Sequence, residues 1–130
     1  MATVSGWGKV KFFRQRTPID LMYVSVPLIS NEKCIKPHTV YSSSDITSNM
    51  ICAGGSVFDG GPLGDACSGD SGSPLIIPKS DTDDTAMLVG IVSFGIRCGR
   101  SDAPGVYTRV TEYISWIQSI RKGKCILSCS

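Results

Sequence analysis

The sequence predicts a single all-β domain, an antiparallel sandwich or barrel, from its apolar pattern, its turn residues and its length. Short apolar runs, most of them rich in β-branched residues, alternate with clusters of Gly, Pro, Asn, Asp and Ser. The 130 residues suffice for one compact core but not for a second folded domain. Six runs qualify as strands, enough to close a small barrel: Ala2–Trp7, Leu21–Leu28, Met50–Ala53, Pro74–Ile77, Met87–Phe94 and Gly105–Val110.

Two further stretches have helical character. Ser30 can cap a short helix over Asn31–Ile35, which Pro37 would stop. Near the C-terminus, the stretch TEYISWIQSIRKG repeats apolar residues at helical spacing, and Gly123 can end that helix. We therefore expect one short helix between strands and one longer helix at the end of the domain.

The charge balance argues against a nucleic-acid partner and the hydropathy pattern against a membrane span. Only 18% of the residues are charged and the net charge is +2, so no polybasic surface is expected. The basic and aromatic segment Lys9–Arg16 could contact single-stranded nucleic acid, but without a stacking sheet it is interpreted as an exposed loop. No apolar run approaches the roughly 20 residues that a membrane helix needs.

Six unclustered cysteines favour disulfides formed in an oxidising compartment. A zinc site is the weaker alternative, because His38 is the only histidine and the ligands would be mostly thiolates. We expect no metal and no cofactor. The opening MATVSGWGKVKFF has no secretory signal, which conflicts with the disulfide interpretation unless Met1 is not the natural start.

The stretch GDACSGDSGSPL, residues 64–75, combines the features that acyl transfer at a serine requires. Such chemistry needs an exposed hydroxyl and backbone N–H groups that bind the developing oxyanion. Ser71 is flanked by Gly69 and Gly72, and the N–H groups of Gly69 and Ser71 can form an anion-binding nest. The G-x-S-x-G pattern of α/β-hydrolases also needs a following helix, which Pro74 argues against.

These residues resemble the nucleophile segment of the trypsin/chymotrypsin family of serine proteases. Further motifs occur in the family's order along nearly the whole chain: SGWG at 5–8, NMICAG at 49–54, GIVSFG at 90–95, APGVYTRV at 103–110 and the closing YISWI. The resemblance covers the second barrel of the two-barrel fold. It implies a six-stranded antiparallel Greek-key β-barrel with a C-terminal helix over residues 1–124, followed by a cysteine-containing tail, 125–130.

The resemblance also implies roles for the residues around Ser71. Ser71 matches the nucleophile, and the N–H groups of Gly69 and Ser71 match the oxyanion hole. Asp70 matches the acid that pairs with the new N-terminal ammonium after zymogen cleavage. The family's disulfides correspond to Cys34–Cys52 and Cys67–Cys98, whereas Cys125 and Cys129 could pair with each other or with a missing segment.

A specificity pocket for cationic side chains is implied as well. Asp65 matches the acid at the base of the pocket, Gly95 and Gly105 match its walls, and Ser93–Gly95 matches the strand that pairs with substrate backbone. A partly desolvated carboxylate favours a guanidinium or ammonium partner. Ala66 removes a hydroxyl that would help to solvate lysine, so we expect Arg to be preferred over Lys. The substrate-binding set is completed by Ala66, Ser68 and Phe94.

The general base is missing from these motifs. The family's triad histidine and aspartate come from the first barrel, and His38, four residues after Cys34, is expected near the outer cleft and not at the serine.

The sequence therefore predicts the C-terminal half of a secreted, trypsin-like serine endopeptidase that forms an acyl-enzyme at Ser71 and is inactive as an isolated chain. Expected partners are substrates with Arg or Lys before the cleaved bond, protein protease inhibitors and the missing N-terminal barrel. The alternative is a non-catalytic homologue that acts as a secreted binding or regulatory module.

Overall fold

The computed structural model describes residues 1–9, 16–54, 65–80 and 83–121. Most of the Lys9–Arg16 segment, Gly64, Gly123 and the tail 125–130 lie outside the described residues. The strands are β1 (Ala2–Gly6), β2 (Met22–Val26), β3 (Leu28–Ile29), β4 (Met50–Ala53), β5 (Pro74–Ser80), β6 (Asp83–Phe94) and β7 (Gly105–Arg109). The helices are α1 (Asn31–Cys34), a 3₁₀ turn at Val110–Tyr113 and α2 (Ile114–Arg121).

All seven described strands form one antiparallel sheet in the order β2-β1-β5-β6-β7-β4-β3. The two outer strands, β2 and β3, are consecutive in the chain with only Pro27 between them. The sheet must therefore curl until its two edges meet at one bend of the backbone. The Gly54 N–H donates to the Pro27 carbonyl at 3.0 Å and fastens this corner. The prediction of an all-β antiparallel barrel is confirmed.

The predicted number of six strands was wrong, because the run Leu21–Leu28 is divided into two strands at Pro27. Proline has no N–H to donate to a neighbouring strand and is confined to edges and bends of a sheet. Before the bend, Val26 pairs with Ala2 of β1. After it, Ile29 pairs with Cys52 of β4. One apolar run thus supplies both outer strands of the sheet.

The core lies inside the curled sheet and follows the alternation of the strands. In β1, Ala2, Val4 and Gly6 are buried while the residues between them are partly exposed. The main buried cluster consists of Ala2, Val4, Val26, Ala53, Leu75 and Tyr107. A second buried cluster surrounds the disulfide between α1 and β4, and comprises Cys34, Tyr41, Ile46, Cys52 and Val106.

The two predicted helices are both present. The Ser30 Oγ accepts a hydrogen bond from the Lys33 N–H at 3.4 Å, so Ser30 caps α1 as expected. The helix ends at Cys34, one residue before the expected end. The C-terminal helix α2 follows the 3₁₀ turn directly. None of the helices within the described ranges is long and apolar enough to cross a membrane.

Replacement of Leu75 by alanine should destabilise the barrel, because this fully buried side chain lies in the main cluster. Loss of a buried leucine costs the transfer energy of the removed atoms and leaves a cavity, together about 2 to 5 kcal/mol. The matched control is Leu21→Ala, since Leu21 is 51% exposed and its loss should cost less than about 0.5 kcal/mol. Urea unfolding under non-reducing conditions measures both, and equal effects would contradict the assignment of Leu75 to the core.

Candidate active site

A cavity of about 190 Å³ opens beside Ser71. Its walls come from three parts of the chain: residues 65–68 before the serine, residues 92–98 at the end of β6 and beyond, and residues 105–107 at the start of β7. The structure brings Ser71 together with all seven residues that the sequence assigned to substrate binding, namely Asp65, Ala66, Ser68, Ser93, Phe94, Gly95 and Gly105.

The Cys67–Cys98 disulfide holds two of these walls together. Its Cα atoms lie 5.1 Å apart, and the bond joins the segment that carries Asp65 to the loop that follows β6. The cavity walls are therefore fixed by a covalent bond as well as by packing. The other disulfide, Cys34–Cys52, lies in the second buried cluster. Both pairings are those implied by the family resemblance.

The carboxylate of Asp65 lies in the cavity wall with one oxygen unsatisfied. Its Oδ2 accepts a hydrogen bond from the Gly99 N–H at 3.2 Å. Its Oδ1 is buried without a hydrogen-bond partner in the described part of the chain, and the same is true of the Tyr107 hydroxyl. A Cβ atom at Gly105 would stand 2.7 Å from this Oδ1 and 3.3 Å from the Tyr107 hydroxyl. Glycine at position 105 thus allows the Asp65 carboxylate and the Tyr107 ring to pack against the backbone, where a larger residue would overlap them.

Burial controls the protonation of this carboxyl. Removal from water raises the pKa of Asp65 to about 6, although the nearby backbone N–H groups of Gly99 and Ala66 lower it and the negative charge of Asp70 raises it. The pKa of the Tyr107 hydroxyl is also raised, mainly by burial and to a smaller extent by the negative charge of Asp65. A cation in the cavity would stabilise the charged form of Asp65 and reverse the effect of burial.

Within the described ranges, the N–H groups of Ser68, Gly69 and Ser71 have no hydrogen-bond partner in the turn that carries Ser71. The N–H groups of Asp70, Gly72 and Ser73 donate to Cys67, Val92 and Asp70 carbonyls, each at 2.9 Å. Within the described ranges, Gly69 and Ser71 take part in no hydrogen bond. Gly69 has a φ of 102°, which glycine adopts without strain. The backbone N–H groups of Gly69 and Ser71 are therefore available to bind an anion beside the exposed Ser71 side chain.

Asp70 is buried beneath this turn and anchors it to the end of β1. Its Oδ1 accepts from the Gly8 N–H at 2.7 Å, and its Oδ2 accepts from the Cys67 N–H at 2.9 Å. Only glycine fits opposite this carboxylate, because a Cβ atom at Gly6 or Gly8 would overlap it. The SGWG motif therefore has a structural reason: its two glycines make room for Asp70.

The wall at Phe94 is supported by a residue that the sequence did not single out. The Tyr41 ring meets the Phe94 ring edge-on, with 6.2 Å between centroids and an angle of 83°. The Tyr41 hydroxyl donates to the Pro104 carbonyl at 3.0 Å. Tyr41 lies in the loop that the Cys34–Cys52 disulfide closes, so this loop positions one side of the cavity. Nothing in the local sequence around Tyr41 signals this contact.

Arg97 is a second residue of the cavity that sequence reasoning missed. It lines the cavity next to Cys98, and it is the one non-glycine residue of the described chain with positive φ, at 61°. Its position immediately before the pocket cysteine was the available signal. Together, Asp65 and Arg97 are the two charged residues among the described cavity-lining residues.

His38 does not line the cavity. It is exposed, and it lies between α1 and β4. Because the chain has a single histidine, the described cavity contains no imidazole beside Ser71. In the described ranges, no cluster of three or more His, Cys, Asp or Glu residues could hold a metal ion.

Comparison with known proteins gives one family over most of the chain. The family model described as Trypsin matches residues 1–117. Transmembrane protease serine 11G of Rattus norvegicus is 48% identical over 116 residues, which cover 89% of this chain and 26% of that protein. Clotting factor G beta subunit of Tachypleus tridentatus is 38% identical over 129 residues, covering 96% of this chain and 40% of the relative. Hepatocyte growth factor activator serine protease of Mus musculus is 44% identical over 114 residues, which cover 88% of this chain and 16% of that protein. The chain thus spans less than half the length of these relatives.

The buried carboxyl of Asp65 should make stability depend on pH. Because its pKa is raised in the folded state from 3.8 to about 6, the folded protein binds more protons than the unfolded chain between these values. Stability should therefore fall as the pH rises from about 4 to 7, by about 2 to 3 kcal/mol from this group.

Asp65→Asn removes this contribution, so its gain in unfolding free energy over the unsubstituted chain should be small at pH 4 and largest at pH 7. Asp20→Asn, an exposed carboxylate outside the cavity, is the control. Denaturant unfolding across the pH range measures both variants. A constant difference between Asp65→Asn and the unsubstituted chain would contradict the burial of an ionising group.

Proposed function

Because the chain belongs to the trypsin family of serine proteases, we propose that it carries the nucleophile and the specificity pocket of an endopeptidase that cleaves after arginine. The observation that carries this proposal is the unsatisfied Oδ1 of Asp65 in the wall of the cavity that Ser71 also lines. A carboxylate whose Oδ2 accepts a single backbone hydrogen bond, in a cavity that also holds the nucleophile, suits a substrate side chain that brings a cation.

Arginine fits the pocket better than lysine. Its planar guanidinium presents several donors, which can pair with the carboxylate of Asp65 in the cavity wall. A lysine ammonium is a compact, strongly hydrated charge, which needs additional oxygen ligands when it leaves water. Ala66 lines the cavity and has no hydroxyl to offer. The preference for Arg over Lys follows from this difference in solvation.

Ser71 acts as the nucleophile in the proposed reaction. Its Oγ attacks the carbonyl carbon of the arginine residue, while a general base takes the hydroxyl proton. The carbonyl oxygen becomes an oxyanion, which the free N–H groups of Gly69 and Ser71 stabilise. The C–N bond then breaks, the leaving amine receives the proton, and water hydrolyses the acyl-enzyme by the same steps.

The general base and its orienting carboxylate are proposed to come from polypeptide outside these 130 residues. A base must reach the serine hydroxyl within hydrogen-bonding distance, and the single histidine of the chain does not line the cavity. The relatives are more than twice as long as the matched segment. In this arrangement, residues 1–124 form one barrel with its helix and the partner barrel supplies the base.

Asp70 is proposed as the acid that pairs with an N-terminal ammonium after activation cleavage. In its buried position its carboxylate is held by two neutral N–H donors, with no cationic side chain among its hydrogen-bonding partners. An ammonium would compensate this charge and hold the turn at Gly69–Ser71. Protein substrates and protein protease inhibitors are the proposed partners, and the two disulfides support an extracellular location.

The isolated chain should bind an arginine-like cation without hydrolysing a substrate. We expect benzamidine, an aromatic amidine, to bind, and Asp65→Asn to weaken its binding at least about tenfold because the buried anion is lost. Calorimetry or NMR titration at pH 7.5 measures the binding. An arginine amide should show no hydrolysis beyond that of a Ser71→Ala control. Hydrolysis that depends on Ser71 would contradict the proposal that the general base lies outside this chain. Benzamidine binding that Asp65→Asn leaves unchanged would contradict the role of Asp65 in the pocket.

In a longer form of the protein that carries the base, kcat/KM should be higher for an arginine amide than for its matched lysine amide. Ala66→Ser should raise the lysine value and narrow the ratio by about three- to tenfold, since a hydroxyl would help to solvate the ammonium. Hydrolysis of the two matched amides by both proteins measures this. A ratio that is reversed in the unsubstituted enzyme, or unchanged by Ala66→Ser, would contradict the proposed role of Ala66.

A further inference from the structure

We propose that Arg97 is a second specificity-determining residue, which selects substrates with an acidic residue two positions before the one in the cavity. This inference rests on the proposed function of the cavity. It extends that function from one substrate residue to a pair of opposite charges.

The first observation is the distribution of charge around the cavity. Asp65 and Arg97 are the charged residues among the described cavity-lining residues. Asp65 is largely buried and lies beside the buried Tyr107, whereas Arg97 is exposed. In the described part of the chain, Arg97 has no hydrogen bond or ion pair. The cavity therefore has a negative interior and an unpaired positive residue at its exposed side.

The second observation is the backbone of Arg97, which adopts a left-handed conformation with φ of 61°. This conformation is disfavoured for a long side chain and is populated mainly by Gly, Asn and Asp. Arginine therefore occupies a position where its backbone is strained, and no hydrogen bond of its own side chain within the described residues compensates it. A contact with substrate would supply such compensation.

The third observation fixes which part of a substrate Arg97 meets. One edge of β6 pairs with β5, which begins at Pro74. The hydrogen bonds along this edge end at Val92, whose N–H donates to Ser73 and whose carbonyl accepts from Gly72. Beyond Val92, residues 93–95 have no strand partner on this side among the described residues. An extended peptide can therefore add to this edge in the antiparallel direction.

The direction of that peptide follows from the position of Ser71. The scissile carbonyl must lie near Ser71, which is next to Gly72 and hence near Val92 and Ser93. An antiparallel peptide then runs with its earlier residues toward Gly95. With the residue in the cavity placed opposite Ser93, the residue two positions earlier would lie opposite Gly95. Arg97 is two residues beyond Gly95, so its guanidinium can meet the side chain of that earlier residue.

An acidic side chain at that position would pair with Arg97 while arginine pairs with Asp65. Benzamidine carries a positive charge and no carboxylate. Asp65 therefore attracts it, whereas Arg97 can only repel it. The two kinds of ligand should thus respond in opposite directions when Arg97 is neutralised. Because the Arg97 pair would be exposed, the expected effects are about two- to fourfold in affinity.

The test measures binding of three uncleaved peptides to the 130-residue chain: acetyl-Glu-Ala-Arg-amide and its counterparts with Gln or Lys in place of Glu. Calorimetry or NMR titration at low ionic strength should give about threefold tighter binding of the Glu peptide than of the Gln peptide. This preference should shrink at about 0.5 M salt, since exposed charges are screened.

The variants Arg97→Asn and Arg97→Asp both suit the left-handed backbone, so they change the charge without a folding penalty. Arg97→Asn should abolish the preference for Glu and tighten benzamidine binding about twofold. Arg97→Asp should reverse the preference toward the Lys peptide. The matched control, Arg121→Asn, changes an exposed arginine at the end of α2 and should alter neither ligand.

The inference would be overturned if the ratio of affinities for the Glu and Gln peptides were the same in the unsubstituted chain and in Arg97→Asn. If benzamidine still bound and Asp65→Asn still weakened it, the proposed cation pocket would stand without a role for Arg97. If neither benzamidine nor any of the peptides bound in a manner that depends on Asp65, the pocket and the inference would both be wrong.

Discussion

The buried carboxylate of Asp70 is the contact on which the candidate site depends. It accepts hydrogen bonds from Gly8 at the end of β1 and from Cys67 in the turn, and so joins the two segments. The Lys9 N–H adds a backbone bond to the Ser68 carbonyl at 2.9 Å. This packing explains why three positions are glycine: Gly6 and Gly8 make room for the carboxylate, and Gly69 lies close to the Gly8 Cα. The free N–H groups at 69 and 71 are therefore held by a contact beneath the turn.

Asp65 and Asp70 illustrate two ways to bury a carboxylate. Asp70 is satisfied by N–H donors on both oxygens, whereas Asp65 keeps one oxygen unsatisfied, and burial raises its pKa. A protein normally pairs its buried polar groups, and an unpaired one calls for an explanation. Under the proposed function, the explanation is the cavity beside Asp65, which would receive the cation of a substrate.

Motifs and strand patterns predicted most of the fold, because the apolar runs and the glycine-rich turn are local features of the chain. The division at Pro27 was missed although Pro27 was visible, since only the pairing of β3 with β4 shows that the run continues as a second strand. At the site, Ser71 and the seven residues assigned to substrate binding line one cavity, whereas Gly69 and Asp70 do not line it. Tyr41 and Arg97 were missed because their roles depend on contacts across the fold, at Pro104 and Phe94 for Tyr41 and at the cavity for Arg97.

The shared bend at Pro27 has a consequence for the order in which the domain is made. In the described sheet, strand pairing joins the β3–β4 pair to β6 through β7, which lies between β4 and β6. During synthesis from the N-terminus, the curled sheet thus cannot close until Gly105–Arg109 has emerged from the ribosome. Cys34 and Cys52 emerge well before that point, so this disulfide can form in a nascent chain whose barrel is still open. The early bond would shorten the search for β3 and β4, since it constrains the loop between them before β7 arrives.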